Sequence, residues 1–170
     1  VFEKDISGNW TQNQKLVSIH RGVDNYFGRS ISASGEWLAI GEPKASTDAS
    51  DSNPLTNAGS VQLFKRTGST WIFNQKVVDQ HRATNIEFGH SVSIYGDYLA
   101  VGAPLDSRDV NGTDAQALTL GIVSVFKRNR NTDVFEFVRK IETPRRYERI
   151  TESSNVGFGN SMSISNNLLA

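Results

Sequence analysis

Asp106, Asp109, Asn111 and Asp114 place four oxygen donors in one short polar stretch, and oxygen ligands on a flexible loop are what a hard cation such as calcium takes. Their spacing departs from the Asp-x-Asp-x-Asp-Gly calcium loop, and Asn111-Gly112-Thr113 is itself an N-glycosylation sequon. A solvated or glycosylated loop is therefore the expectation, and the four stay weak metal candidates. A second sequon, Asn9-Trp10-Thr11, lies in turn-like sequence, so Asn9 and Asn111 are glycosylation candidates. Five residues after each of Lys15, Lys76 and Lys140 comes a basic pair, His20-Arg21, His81-Arg82 and Arg145-Arg146, with Arg149 close behind the last. Two readings of these pairs stay open. They pair with the acidic neighbouring loops (Asp48 and Asp51; Asp106, Asp109 and Asp114), or they ring an axis and capture an acidic glycan or a carboxylate-bearing side chain.

Nothing in the chain assembles a catalytic set. A nucleophile elbow, a phosphate-binding glycine loop, a His-Glu-x-x-His helix and a clustered His-carboxylate pair are all missing from the sequence. Recurring positions such as His20 and His81 suit a frame or binding feature better than catalysis, which needs different residues in distinct roles. Eighteen basic and eighteen acidic residues cancel, so no global field draws the protein to nucleic acid or an anionic membrane. No apolar run approaches bilayer length, and Val1 to Trp10 lacks the apolar centre of a signal peptide. With no cysteine, disulfides, thiolate metal sites and thiol chemistry are excluded.

These loops need a frame, and the frame is a repeat. Phe27-Gly28-Arg29-Ser30-Ile31-Ser32 returns as Phe88-Gly89-His90-Ser91-Val92-Ser93 and as Phe158-Gly159-Asn160-Ser161-Met162-Ser163, at intervals of about 60 to 70 residues. A second segment follows each start: Trp37 to Pro43, Tyr98 to Pro104 and Leu168 to Ala170. A third reads Gly59 to Arg66 and Gly121 to Arg128, with Val1 to Lys4 as a shortened copy. A fourth reads Trp10 to Val17, Trp71 to Val78 and Phe135 to Ile141. Each alternates apolar with polar and is rich in β-branched and aromatic residues, as half-buried strands are. Gly35-Glu36, Gly96-Asp97 and Asn166-Asn167 suit two-residue hairpin turns, whose first position needs positive φ. The prediction is an all-β chain of tandem four-stranded antiparallel blades of a β-propeller, each too small to bury both faces alone. Trp10 and Trp71, in equivalent places, are expected to be packing residues. The long connections gather at one end of the blades, where a scaffold carries recognition.

The Phe-Gly that opens each unit, with Val101-Gly102-Ala103-Pro104 and its variant Gly41-Glu42-Pro43, resembles the FG-GAP repeat of integrin-α-type β-propellers. The resemblance implies a six- or seven-bladed ring of which this chain is a piece. It divides the chain into 1–26 (third and fourth strands of a preceding blade, with linker), 27–87 and 88–157 (two blades), and 158–170 (start of the next). Calcium-binding relatives carry their loop between first and second strands. Tight turns take that place here, so calcium is not expected there and no cofactor is expected at all. The implied function is a non-catalytic extracellular or cell-surface module for binding, adhesion or structure, meeting protein partners, neighbouring subunits or glycans through the long-loop face. No contact with nucleic acid and no membrane insertion of this segment are expected. The alternatives are a lectin-like propeller or an accessory propeller attached to an enzyme domain elsewhere.

Overall fold

The computed structural model describes residues 1–113, 120–143, 157–166 and 168–170. Twelve strands are found among them. β3 (Ser30–Ser34), β4 (Trp37–Glu42), β5 (Ser60–Thr67) and β6 (Thr70–Val77) form one antiparallel sheet in chain order; β7 (Ser91–Tyr95), β8 (Tyr98–Ala103), β9 (Ile122–Asn129) and β10 (Val134–Glu142) form a second. Two-stranded sheets flank them: β1 (Phe2–Lys4) with β2 (Trp10–Gln12), and β11 (Ile164–Ser165) with β12 (Leu168–Leu169). The all-β blade architecture predicted from the repeat is what the chain adopts. Ser34 pairs with Trp37 and Tyr95 with Tyr98, so Gly35-Glu36 and Gly96-Asp97 are two-residue turns. Their first residues sit at φ of 59° and 56°, and Asn166 at 52°.

Strand alternation sorts the side chains onto two faces of each blade. Trp37, Ala39, Val61 and Leu63 point toward the second blade and join Val92, Ile94, Leu99, Val101, Phe126 and Phe135 in one buried cluster. Leu38, Ile40, Phe64 and Trp71 point the other way and are covered by Val1, Leu16, Phe27 and Phe73. An edge-to-face aromatic pair crosses the joint, Trp37 with Phe135 at 5.0 Å, while Phe27 meets Phe64 of its own blade at 6.4 Å. Phe88 is fully buried against Phe126 at 6.2 Å, a burial worth about 1.5–3 kcal/mol.

Three details of the sequence reading are corrected. The Phe-Gly pair precedes the first strand instead of lying in it, because Gly28 and Gly89 take φ of 92° and 90° and bend the chain just before Ser30 and Ser91. The strand expected over Trp10 to Val17 ends at Gln12, beyond which Gln14 turns to bond the neighbouring blade. Trp10, expected to be a packing residue, is 68% exposed within this chain. Leu38 and Ile40, which cover its equivalent Trp71, belong to a second strand that the two-stranded β1-β2 sheet does not include.

The joints are also made of backbone. A Cβ on Gly41 would collide with the carbonyl oxygen of Gly89, and one on Gly102 with that of Gly159. These carbonyls accept from Ser30 Oγ at 2.9 Å and Ser91 Oγ at 2.6 Å. Further along, Ser32, Ser34 and Ser93 accept from the amides of Ile94, Gly96 and Ile164. The alternate serines of the repeat thus tie each first strand to the next. At the outer edge Gln14 and Gln75 do the same by imitating a strand. Gln14 accepts from Trp71 N at 2.7 Å and donates to Trp71 O at 2.9 Å, and Gln75 makes the same pair with Phe135 at 2.8 and 3.1 Å.

Candidate functional site

Antiparallel order puts the 35–36, 68–69, 96–97 and 130–133 turns at one end of the blades and the long connections at the other. The long-loop end is built by satisfying its own backbone and charges. Asp48 accepts from Ser50 N, Ser52 N and Asn53 Nδ2 at 2.9, 2.9 and 2.6 Å. These bonds, the Asn53 amide first, hold its carboxyl well below the usual carboxylate range. Asp51 receives Lys76 Nζ at 2.8 Å, His20 Nε2 at 2.5 Å and Thr47 Oγ1 at 3.1 Å.

The sequence-predicted cations divide into those used within the face and those left open. His20 is tied to Asp51. Arg82 donates to the carbonyls of Ser46 at 2.6 Å and Asn53 at 2.8 Å, fastening the loop before β7 to the loop before β5. His81 lies against Gly112, where a Cβ would strike its ring; its Nδ1 and Arg82 Nε are buried without a hydrogen-bond partner. Arg21 is exposed, with no ion pair among the described residues. Arg145, Arg146 and Arg149 lie outside the described residues, as does Asp114. The structure therefore does not bring the basic pairs together as one open ring among the residues it describes.

Asp106 faces inward. It receives Arg108 Nε and Nη2 at 2.8 and 2.7 Å and lies 3.9 Å from Lys140 Nζ. Asp109 instead accepts from Asn111 N and Thr113 N, closing its own turn and leaving the Asn111 side chain outward. No cluster of three metal-ligating groups occurs among the described residues. Asn9 is exposed on the β1-β2 turn, next to Asp5.

A buried polar centre escaped the sequence reading. Lys140, on the fourth strand of its blade, is fully buried and donates to Asp79 at 2.9 Å; Asp79 also receives Ser124 Oγ at 3.3 Å and His81 N at 2.8 Å. Burial works against the charge of Arg108, but the Asp106 and Asp79 carboxylates outweigh it and hold this guanidinium above its ordinary value. In the preceding blade the same slot holds Ser18, Gln62 and Glu42, with Gln62 Nε2 donating to the other two at 2.7 and 3.0 Å. The available signal was the recurring lysine. Lys76 and Lys140 stand in register on strands that alternate inward, yet the sequence suggested them only as markers for the basic pairs.

The sequence carries no clustered His-carboxylate set, whereas two such contacts form among the described residues: His20 with Asp51, and His90 Nδ1 with Glu87 at 3.2 Å. The first joins loops distant in sequence, and the second spans one turn of three residues. The second borders an open cleft of about 540 Å³ lined by Tyr26, Arg29, Lys44, Glu87 and His90. A neighbouring hollow of about 430 Å³ shares Tyr26 and Phe27 and reaches Arg21.

A four-stranded blade with a Phe-Gly bend and glycines that admit the next blade's carbonyls defines a propeller repeat. The FG-GAP repeat family model matches residues 10–64 and 71–118, and the chain belongs to that family. No curated protein matches it.

Proposed function

We propose that this chain serves as a non-catalytic, extracellular binding and scaffold module, adhesive or structural, that meets protein partners through its long-loop end. One observation carries the reading. The repeating residues Phe88, Gly41, Gly102, Ser30, Ser91 and Gln75 are consumed by blade-to-blade joints, while the long loops over 44–58 and 105–120 differ in sequence from one another. The exposed Asn9 and Asn111 sequons support passage through a glycosylating compartment. Among the described residues no helix is long and apolar enough to cross a membrane.

This chain carries no cysteine, so a thiol introduced into it carries a bulky polymer at one chosen place, with the unsubstituted protein treated alike as the control. Ala49→Cys lies on the long-loop end and Ser69→Cys on a tight turn, both exposed. Binding of the full protein to decellularised matrix should be blocked by polymer at position 49 and survive polymer at position 69. Equal loss, or no loss at either place, contradicts the reading.

A further inference from the structure

The cleft beside Tyr26 differs from the rest of the repeated frame. At the third repeat the residue before Phe158 is Gly157, with φ of 65°, which a glycine adopts freely. At the first two repeats the same left-handed position is forced on Tyr26 (φ 58°) and Glu87 (φ 53°). A bulky side chain held there is a strained arrangement of the kind that collects at functional sites. Both residues line the cleft. Glu87 is engaged with His90, and Lys44 Nζ rests 4.8 Å above the Tyr26 ring. Arg29 has no ion-pair partner among the described residues, nor does Lys44. Nor does the cationic set repeat: Arg29 becomes His90 and Asn160 in the later repeats, and Lys44 becomes Leu105.

We propose that this cleft is a carboxylate-binding subsite for an acidic peptide segment of a partner protein, with Arg29 and Lys44 holding one carboxylate. Arg29 supplies a planar fork that matches a carboxylate and Lys44 a point charge. Tyr26 holds the ammonium of Lys44 over its ring, so this aromatic positions a cation instead of stacking on a sugar, which favours a peptide over an acidic glycan. Glu87 sets the limit of the anionic ligand by repelling any carboxylate placed on the His90 side. The proposal rests on the long-loop reading and names the chemistry of one place within it.

The probe is a fluorescent hexa-aspartate peptide, with its hexa-asparagine counterpart as control, titrated by anisotropy at low and physiological salt. The aspartate peptide should bind and the asparagine peptide should not. Arg29→Gln with Lys44→Gln should weaken binding about tenfold or more, the loss of ~1.4 kcal/mol or more, with an unchanged melting temperature. Lys127→Gln, a charge removal on β9, should leave binding as it was. Failure of the wild type to bind, equal weakening by Lys127→Gln, or binding of a sulfated oligosaccharide in place of the peptide overturns the proposal. If polymer at position 49 still blocks matrix binding in that case, the long-loop reading stands and only the subsite is lost.

Discussion

At the scale of single residues, two glycines of this chain are needed for unlike reasons. Gly102 has an ordinary backbone conformation, but a Cβ there would meet the Gly159 carbonyl and the Ser91 hydroxyl. Gly35 has open space around it and a φ of 59°. Gly102→Ala should therefore cost about 1–3 kcal/mol by forcing the blades apart. Gly35→Asn should cost under about 1 kcal/mol, since Asn tolerates left-handed φ, and Asn166 holds the matching place. Urea unfolding of both variants checks the contrast. Phe88→Ala removes a wholly buried ring from the joint and should cost about 3–5 kcal/mol. A midpoint within error of wild type would refute its role as a core knob.

Strands bring a second kind of device, the protected edge. The outer strands β6 and β10 would present unpaired amides and carbonyls to other chains. Gln14 and Gln75 occupy both backbone groups of Trp71 and Phe135, so one amide side chain caps one residue of each strand edge. Gln75→Ala should cost about 1–3 kcal/mol, because it strips two bonds at once and strands partly buried backbone groups. Amide exchange at Phe135 should speed up more than at its neighbours, and uniform acceleration along β10 would count against the clamp. The corresponding position in the next blade is Arg139, whose side chain donates only and cannot satisfy a backbone N–H.

The whole molecule is fastened at its tight-turn end by charge. Arg130 and Arg128 hydrogen-bond Asp97, and Lys65 and Arg128 hydrogen-bond Asp133, so that the Lys65 contact joins one blade to the next. Asp97, chiefly through Arg130, and Asp133, chiefly through Lys65, are held below the ordinary carboxylate value. A carboxyl depressed in the folded state adds stability that is complete above its unfolded value and disappears as pH falls through the folded one. The melting temperature should accordingly be level above about pH 5 and drop below about pH 4. Asp97→Asn should lower the plateau and flatten the drop, as differential scanning fluorimetry would show. The same slope in the variant would place the acid sensitivity elsewhere. Added salt should weaken these half-exposed pairs while leaving the buried Lys140 and Asp79 pair intact.

The blades are legible along the chain, because alternation with a period of two, glycine at hairpin corners and recurrence of Phe-Gly are local properties that each segment states on its own. So are the first hairpin of each full blade and the end that bears the long loops. How the cations are used is a matter of packing between blades. His20 and Arg82 look like surface charges along the chain, yet they are spent on Asp51 and on the carbonyls of Ser46 and Asn53. Those contacts come from loops distant in sequence meeting across a joint, and no periodicity encodes that meeting. The burial of Lys140 beside Asp79 and Asp106, and the cleft that gathers Tyr26, Arg29, Lys44 and His90, arise the same way: a repeat fixes where its strands lie, and the packing of one blade against the next fixes what its loops can touch.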